Sequence, residues 1–107
     1  VRMSVRNADD ARRWGDRFLD SNTSGIAVLA AEMPHEKHVL FAFVSDDMIS
    51  RGVRADVLIR EVSAIVGGRG GGKSHIGQAG VEDATRIEEA LNAGPRIIRA
   101  FLNKGVT

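Results

Sequence analysis

The chain has 107 residues, enough for one domain with a real apolar core and no need of covalent staples. It contains no cysteine, which excludes disulfide frameworks, cysteine-ligated zinc and thiol nucleophiles. Fifteen lysines and arginines stand against fourteen acidic residues, a formal net charge of +1, so this is no polybasic tail, and any affinity for phosphate must be local.

In chain order, residues 3–6 read as a short strand. Residues 8–19 read as a helix on which Trp14 and Phe18, four apart, share one face, while Arg12, Arg13, Asp16 and Arg17 form its solvated side. Residues 21–25 are turn-rich. Two continuous apolar runs follow, 26–31 and 38–45, joined by a polar link with Pro34, and together they predict an antiparallel hairpin covered on at least one face. His35 and His38 bracket that link without the cysteine or H-E-x-x-H spacing of a zinc site.

Residues 46–52 predict a helical turn, with Asp46 and Asp47 at the strand end and helix cap. Val57, Leu58, Val62, Ile65 and Val66 then fit a helical stripe that stops at Gly67, a natural C′ residue. Beyond a glycine-rich loop, Asp83 is placed to cap a helix carrying Ile87, Ala90 and Leu91. Gly94 and Pro95 predict a break, with Pro95 opening a last helix through Ile97, Ile98, Phe101 and Leu102. Arg96, Arg99 and Lys104 recur on one side of that helix, the pattern of a solvated face. The fold class expected is α+β, a small mixed sheet with helices packed on it.

Residues 67–80, GGRGGGKSHIGQAG, hold seven glycines in fourteen positions. Glycine weakens helices and strands, so such a run marks positive-φ turns or a surface that must be approached closely. The letters of residues 67–74 satisfy the nucleotide-binding pattern G-x-x-x-x-G-K-[ST]. That mechanism needs a buried strand before the loop and a helix after it, so that the helix N-terminus faces the phosphates. Here a helical stripe precedes and HIGQAG follows, so the nucleotide-loop reading is rejected.

Residues 52–80, read as a unit, resemble the C-terminal domain of alanyl-tRNA synthetase. The resemblance rests on Glu61-Val62, Val66-Gly67-Gly68, Gly70-Gly71-Gly72-Lys73 and Gln78-Ala79-Gly80, and it continues more loosely over nearly the whole chain. Four positions depart from the family pattern: Ser74 where proline is common, His75 where an acidic residue is common, Gly77 for alanine and Val81 for a second glycine. The same domain type, the DHH-associated domain, accompanies DHH phosphoesterases, whose glycine run leads directly to histidine and then AAG. Lys73 and Ser74 before His75, and the ending QAG, favour the synthetase branch. The metal-binding DHH motif itself is absent.

The resemblance implies one C-terminal domain over residues 1–107, a fragment of a larger parent, as the start at Val1 rather than methionine also reads. It implies a non-catalytic tRNA-docking module that contacts the outer corner of the tRNA and supports aminoacylation and editing. No cofactor is expected in the domain. The parent, an alanine–tRNA ligase, is expected to use ATP and magnesium, with zinc in its editing domain. The expected partners are alanine-specific tRNA and the parent's catalytic and editing domains. Such domains can also mediate contacts in a homodimer. No apolar run reaches the roughly 20 residues needed to span a bilayer, and the expected location is the cytoplasm. The alternative implied by the second branch is the nucleotide- or single-strand-binding lobe of a DHH phosphoesterase.

The residues themselves agree with RNA docking. Gly70, Gly71 and Gly72 let backbone N–H groups reach phosphate or ribose oxygens, and Arg69 and Lys73 bring charge. Residues 51–78 carry five lysines and arginines against two acids. His75 can donate to a phosphate or cap the turn. Gln78 can read a base edge or ribose hydroxyl, or fix the loop through its backbone, and the second role is favoured. Trp14, Phe18, Phe41, Phe43 and Phe101 fall on core-facing patterns and tyrosine is absent, so recognition by backbone and shape is expected rather than a stacking platform.

Overall fold

The computed structural model describes residues 2–21, 24–35 and 37–106, with side chains up to residue 103. Val1, part of the turn at 21–25 and the side chain of Lys104 lie outside the described residues. The order of elements is β1 (Arg2–Ser4), α1 (Ala8–Ser21), β2 (Ile26–Met33), β3 (Lys37–Val44), α2 (Asp46–Ser50), α3 (Ala55–Ala64), β4 (Gly70–Gly72), β5 (Ile76–Gly80) and α4 (Ile87–Val106). The five strands form one sheet in the order β1-β2-β3-β5-β4. β1 runs parallel to β2 and every other pair is antiparallel, so the sheet is mixed and the fold is α+β, as the sequence predicts.

The strand β3 is the centre of the molecule. Alternation sends Leu40, Ala42 and Val44 to one face, where they meet Leu58, Ile59 and Val62 of α3 and Ile87 of α4. Val39, Phe41 and Phe43 go to the other face, under Ala11 of α1 and beside Leu29 and Ala31 of β2. With both faces covered, β3 reads as an unbroken apolar run, and Phe41 and Phe43 are fully buried. α1 lies unusually close to this strand, because Gly15 faces the Phe43 ring where any Cβ would overlap it. Asn7 caps α1 by accepting the Asp10 N–H at 3.0 Å. Asp83 accepts the Thr85 N–H at 3.1 Å and caps the 3₁₀ turn Ala84–Arg86 that leads into α4.

Two expectations need correction. The glycine-rich segment is not wholly a loop, since Gly70–Gly72 pairs with β5 as the sheet's edge strand. The predicted break at Gly94-Pro95 is also absent, and α4 runs without interruption from Ile87 to Val106 with Pro95 inside it. The reason lies in the apolar stripe, which keeps helical spacing across the glycine and proline. Ile87 and Ala90 are buried and Leu91, Ile97, Ile98, Phe101 and Leu102 pack against the same core, so burial outweighs the cost of about 3 kcal/mol for an interior proline.

Candidate nucleic-acid interface

The glycine segment is built from α3 outward. Gly67 has φ of 70° and donates to the Ala64 carbonyl, and Gly68 donates to the Ser63 carbonyl at 2.9 Å, which closes α3 in a Schellman arrangement. The chain then enters β4, whose partners on β5 are Ala79 for Gly70, Gln78 for Gly71 and Gly77 for Gly72. Lys73 donates its N–H to the Ile76 carbonyl at 2.8 Å and so closes the turn. The carbonyls of Lys73 and Ser74 accept the N–H groups of Asp56 and Ala55 at 3.2 and 2.9 Å. The turn therefore caps the start of α3 while the glycine pair caps its end.

This geometry gives the nucleotide-loop letters a structural meaning opposite to their usual one. The helix N-terminus beside Lys73 and Ser74 belongs to the preceding helix, and loop carbonyls rather than phosphate oxygens satisfy its first N–H groups. A strand, β5, follows the loop, so no helix opens at Lys73-Ser74.

The glycines divide by what a side chain would meet. A Cβ on Gly68 would strike the Gly80 carbonyl oxygen, one on Gly70 the Ala79 side chain and the Gln78 carbonyl, and one on Gly72 the Ile76 carbonyl oxygen. On Gly77 it would lie 2.6 Å from the Ala55 carbonyl oxygen and 2.8 Å from Ile59 Cγ2, because α3 crosses directly over β5 there. Gly71 differs from all of these, since nothing lies within 4 Å of its Cβ position. Packing explains four glycines and leaves Gly71 and Gly80 bare, of which Gly71 lies on the edge strand.

The direction of each peptide follows from the ladder. Gly80 donates to the Arg69 carbonyl and Lys73 to the Ile76 carbonyl, so Gly71 shares its hydrogen bonds with Gln78, and the N–H and C=O groups of Gly70 and Gly72 turn toward the open edge. Arg69 and Lys73, both exposed, flank this edge. Alternation puts Gly71 on the α1 face together with Gln78, whose partner on β3 is the α1-facing Phe41.

Of the residues singled out in sequence, Arg69, Gly70, Gly71, Gly72, Lys73 and Gln78 come together at this margin of the sheet. His75 is held differently. Its Nε2 lies 2.5 Å from Asp46 Oδ1 at the start of α2, and its carbonyl accepts the Val44 N–H at 2.9 Å, so it ties the turn to the end of β3. Gln78 also departs from the favoured role. Its Oε1 accepts from Arg12 Nη2 of α1 at 2.8 Å instead of fixing the glycine backbone.

Arg12 is the site residue that sequence reasoning misses. It lies 66 positions from Gln78 on what looks like a solvated helix face, and only the sheet register brings the two together. Conversely, the local basic excess is smaller than the letters suggest. Arg54 and Arg60 both approach Asp56, at 3.1 and 3.8 Å, and the Arg54 hydrogen bond holds that buried carboxyl below the usual aspartate range. Arg69 and Lys73 are the charges left at the glycine strand itself.

Residues 3–100 match the DHHA1 domain family. The chain belongs to the DHHA1 domain family. Among curated relatives, the alanine–tRNA ligase of Dehalococcoides mccartyi is 36% identical over 92 residues, covering 86% of this chain and 10% of that protein. That of Desulfitobacterium hafniense is 35% identical over 102 residues, covering 95% of this chain and 11% of the relative. The chain thus spans about a tenth of the curated relatives it matches. In fold, this DHHA1 domain is similar to the C-Ala domain of Aquifex aeolicus alanyl-tRNA synthetase, with a TM-score of 0.77, 22% identity, and coverage of 95% of this chain and 87% of that one. A weaker likeness, TM-score 0.55 at 18% identity, links 78% of the chain to 19% of a DHH-domain protein described as a member of a family of ribosomal proteins.

Proposed function

We propose that this DHHA1 domain is the C-terminal tRNA-docking domain of an alanyl-tRNA synthetase, which contacts the outer corner of the tRNA and helps present its acceptor end for aminoacylation and editing. The observation that carries the reading is the edge strand Gly70–Gly72, with Gly71 open and Arg69 and Lys73 at its ends. Edge-directed N–H groups with no side chain in the way suit phosphate and ribose oxygens, and the two cations supply the long-range attraction. On this reading the domain performs no chemistry. The ligase reaction, with its ATP and magnesium, belongs to other domains of the parent, and the tRNA is alanine-specific because the parent selects it.

The 107-residue chain is expected to bind folded tRNA weakly, with log K falling against log salt at a slope of about −2 to −3 as two to four phosphates are neutralised. The Arg69→Ala, Lys73→Ala double variant should lose at least half of that slope. Unchanged binding in the double variant removes the site. A competition series separates the alternative, because displacement of tRNA by mononucleotide or single-stranded RNA at equal concentration would point to the small-ligand lobe of a DHH phosphoesterase.

A further inference from the structure

Beyond the glycine strand, the α1 face carries a continuous groove. A shallow cavity of about 530 Å³ is lined by Gln78 and Gly80 at one end and by Lys37 and Arg6 further along. Through Arg6 and Pro34 it joins a second cavity of about 600 Å³ between β1 and α1, lined by Arg13, Trp14 and Arg17. The groove therefore begins on the strand that pairs with Gly70–Gly72 and runs across the sheet to the middle of α1.

Its charge is one-sided. Among the described residues, Arg6, Lys37, Arg13 and Arg17 line it against one carboxylate, that of Asp10, while Asp9, Asp16 and Asp20 of the same helix are not among the lining residues. Asp10 also has a positioning role, because it binds Arg6 Nε at 2.9 Å and Arg13 Nη2 at 3.3 Å and so holds the two guanidiniums beside one another. Each guanidinium carries five N–H donors, more than a shared carboxylate can take, so both can still grip an anion. Cations strung along a groove, rather than gathered at one point, match the spaced charges of a polyanion backbone.

We propose that this groove is a second phosphate track for RNA, in which Arg6, Lys37, Arg13 and Arg17 guide the backbone that leaves the glycine strand. The inference rests on the docking reading and extends it to a face of α1 that the sequence presents only as solvated. Trp14 reports on the groove, since it is the only tryptophan in the chain and lines the cavity between Arg13 and Arg17.

The test uses the 107-residue chain with a labelled alanine tRNA transcript, followed by fluorescence polarisation across a salt series and by Trp14 emission. Arg13→Ala with Arg17→Ala should weaken binding roughly 5- to 20-fold near 0.1 M salt and make the salt slope shallower by about 1 to 2. The Lys pair, R13K with R17K, should keep the slope, which separates lost charge from a damaged helix. Trp14 emission should change with the same midpoint as polarisation. Unchanged affinity and slope in the Ala pair, or binding with no change at Trp14, overturns the track. If only the Arg69/Lys73 pair matters, the docking reading stands and the groove falls; if only the Arg13/Arg17 pair matters, the groove stands and the glycine site falls. No binding at low salt by the wild-type chain overturns both.

Discussion

Gly71 and Gly77 lie six positions apart and are glycine for different reasons. At Gly77 the Ala55 carbonyl oxygen and Ile59 Cγ2 occupy the space a methyl group would need, and since α3 is pinned there by the turn carbonyls, neither can retreat cheaply. Gly77→Ala should therefore cost about 2–3 kcal/mol, the upper part of the usual range of about 1–3 kcal/mol for overpacking. Gly71→Ala should change stability by less than about 0.5 kcal/mol, since the side chain enters open space on a strand. Gly71→Glu should leave the fold intact yet weaken RNA binding, by placing a carboxylate on the proposed phosphate surface. Urea denaturation and tRNA titration of the three variants check this, and a Gly71→Glu protein that binds normally would remove Gly71 from the interface. At this scale the sequence shows that glycine is demanded over residues 67–80, but it cannot show by what. The steric partners of Gly68, Gly70 and Gly77 come from segments whose approach depends on the completed sheet. Arg12 is hidden for the same reason, because its link to Gln78 exists only after α1 settles on the face that Phe41 and Gln78 share.

The helices and the long hairpin are legible from periodicity because side chains repeat the geometry of the backbone that bears them. β2 and β3 announce themselves by apolar runs, and α3 by its stripe and its terminal Gly67, whose φ of 70° is the one a C′ position needs. β4 has no side chains, so it carries no alternation and nothing marks it as a strand except its partner β5. α4 fails in the other direction, where a local breaker outvotes a longer pattern. Gly94 and Pro95 signal a stop, but the stripe from Ile87 to Leu102 keeps its spacing, and burial of that stripe holds the helix together. Pro95 removes the N–H that would serve the Leu91 carbonyl, and its ring is exposed, so little packing depends on it. Pro95→Ala should raise stability by about 1–3 kcal/mol, measured by urea denaturation. A lower midpoint for the variant would mean that the ring is needed where it contacts the α1–α4 cleft.

Two apolar clusters, one on each face of the sheet, make up the core, and β2 and β3 each supply buried residues to both. Leu40, Ala42 and Val44 of β3 are buried in the cluster under α3 and α4, and Val39, Phe41 and Phe43 in the one under α1. Lifting α1 would expose two fully buried phenylalanines, at about 1.5–3 kcal/mol each, a large share of the stability of a chain this size. Loss of either layer also strips one face from the strand that the other layer packs against. The two layers should therefore unfold together. Trp14 stacks on Phe18 at 5.7 Å and leans on Phe43 at 5.9 Å, so its emission reports the α1 layer, whereas far-UV circular dichroism is dominated by α1, α3 and α4 together. The two signals should give coincident urea transitions with one midpoint and one slope. An earlier midpoint for Trp14 would show that α1 opens alone. The proposed groove, formed between α1, β1 and the hairpin, would then be a feature of a mobile layer rather than of the folded sheet, and its arginines would bind with the cost of ordering α1 set against them.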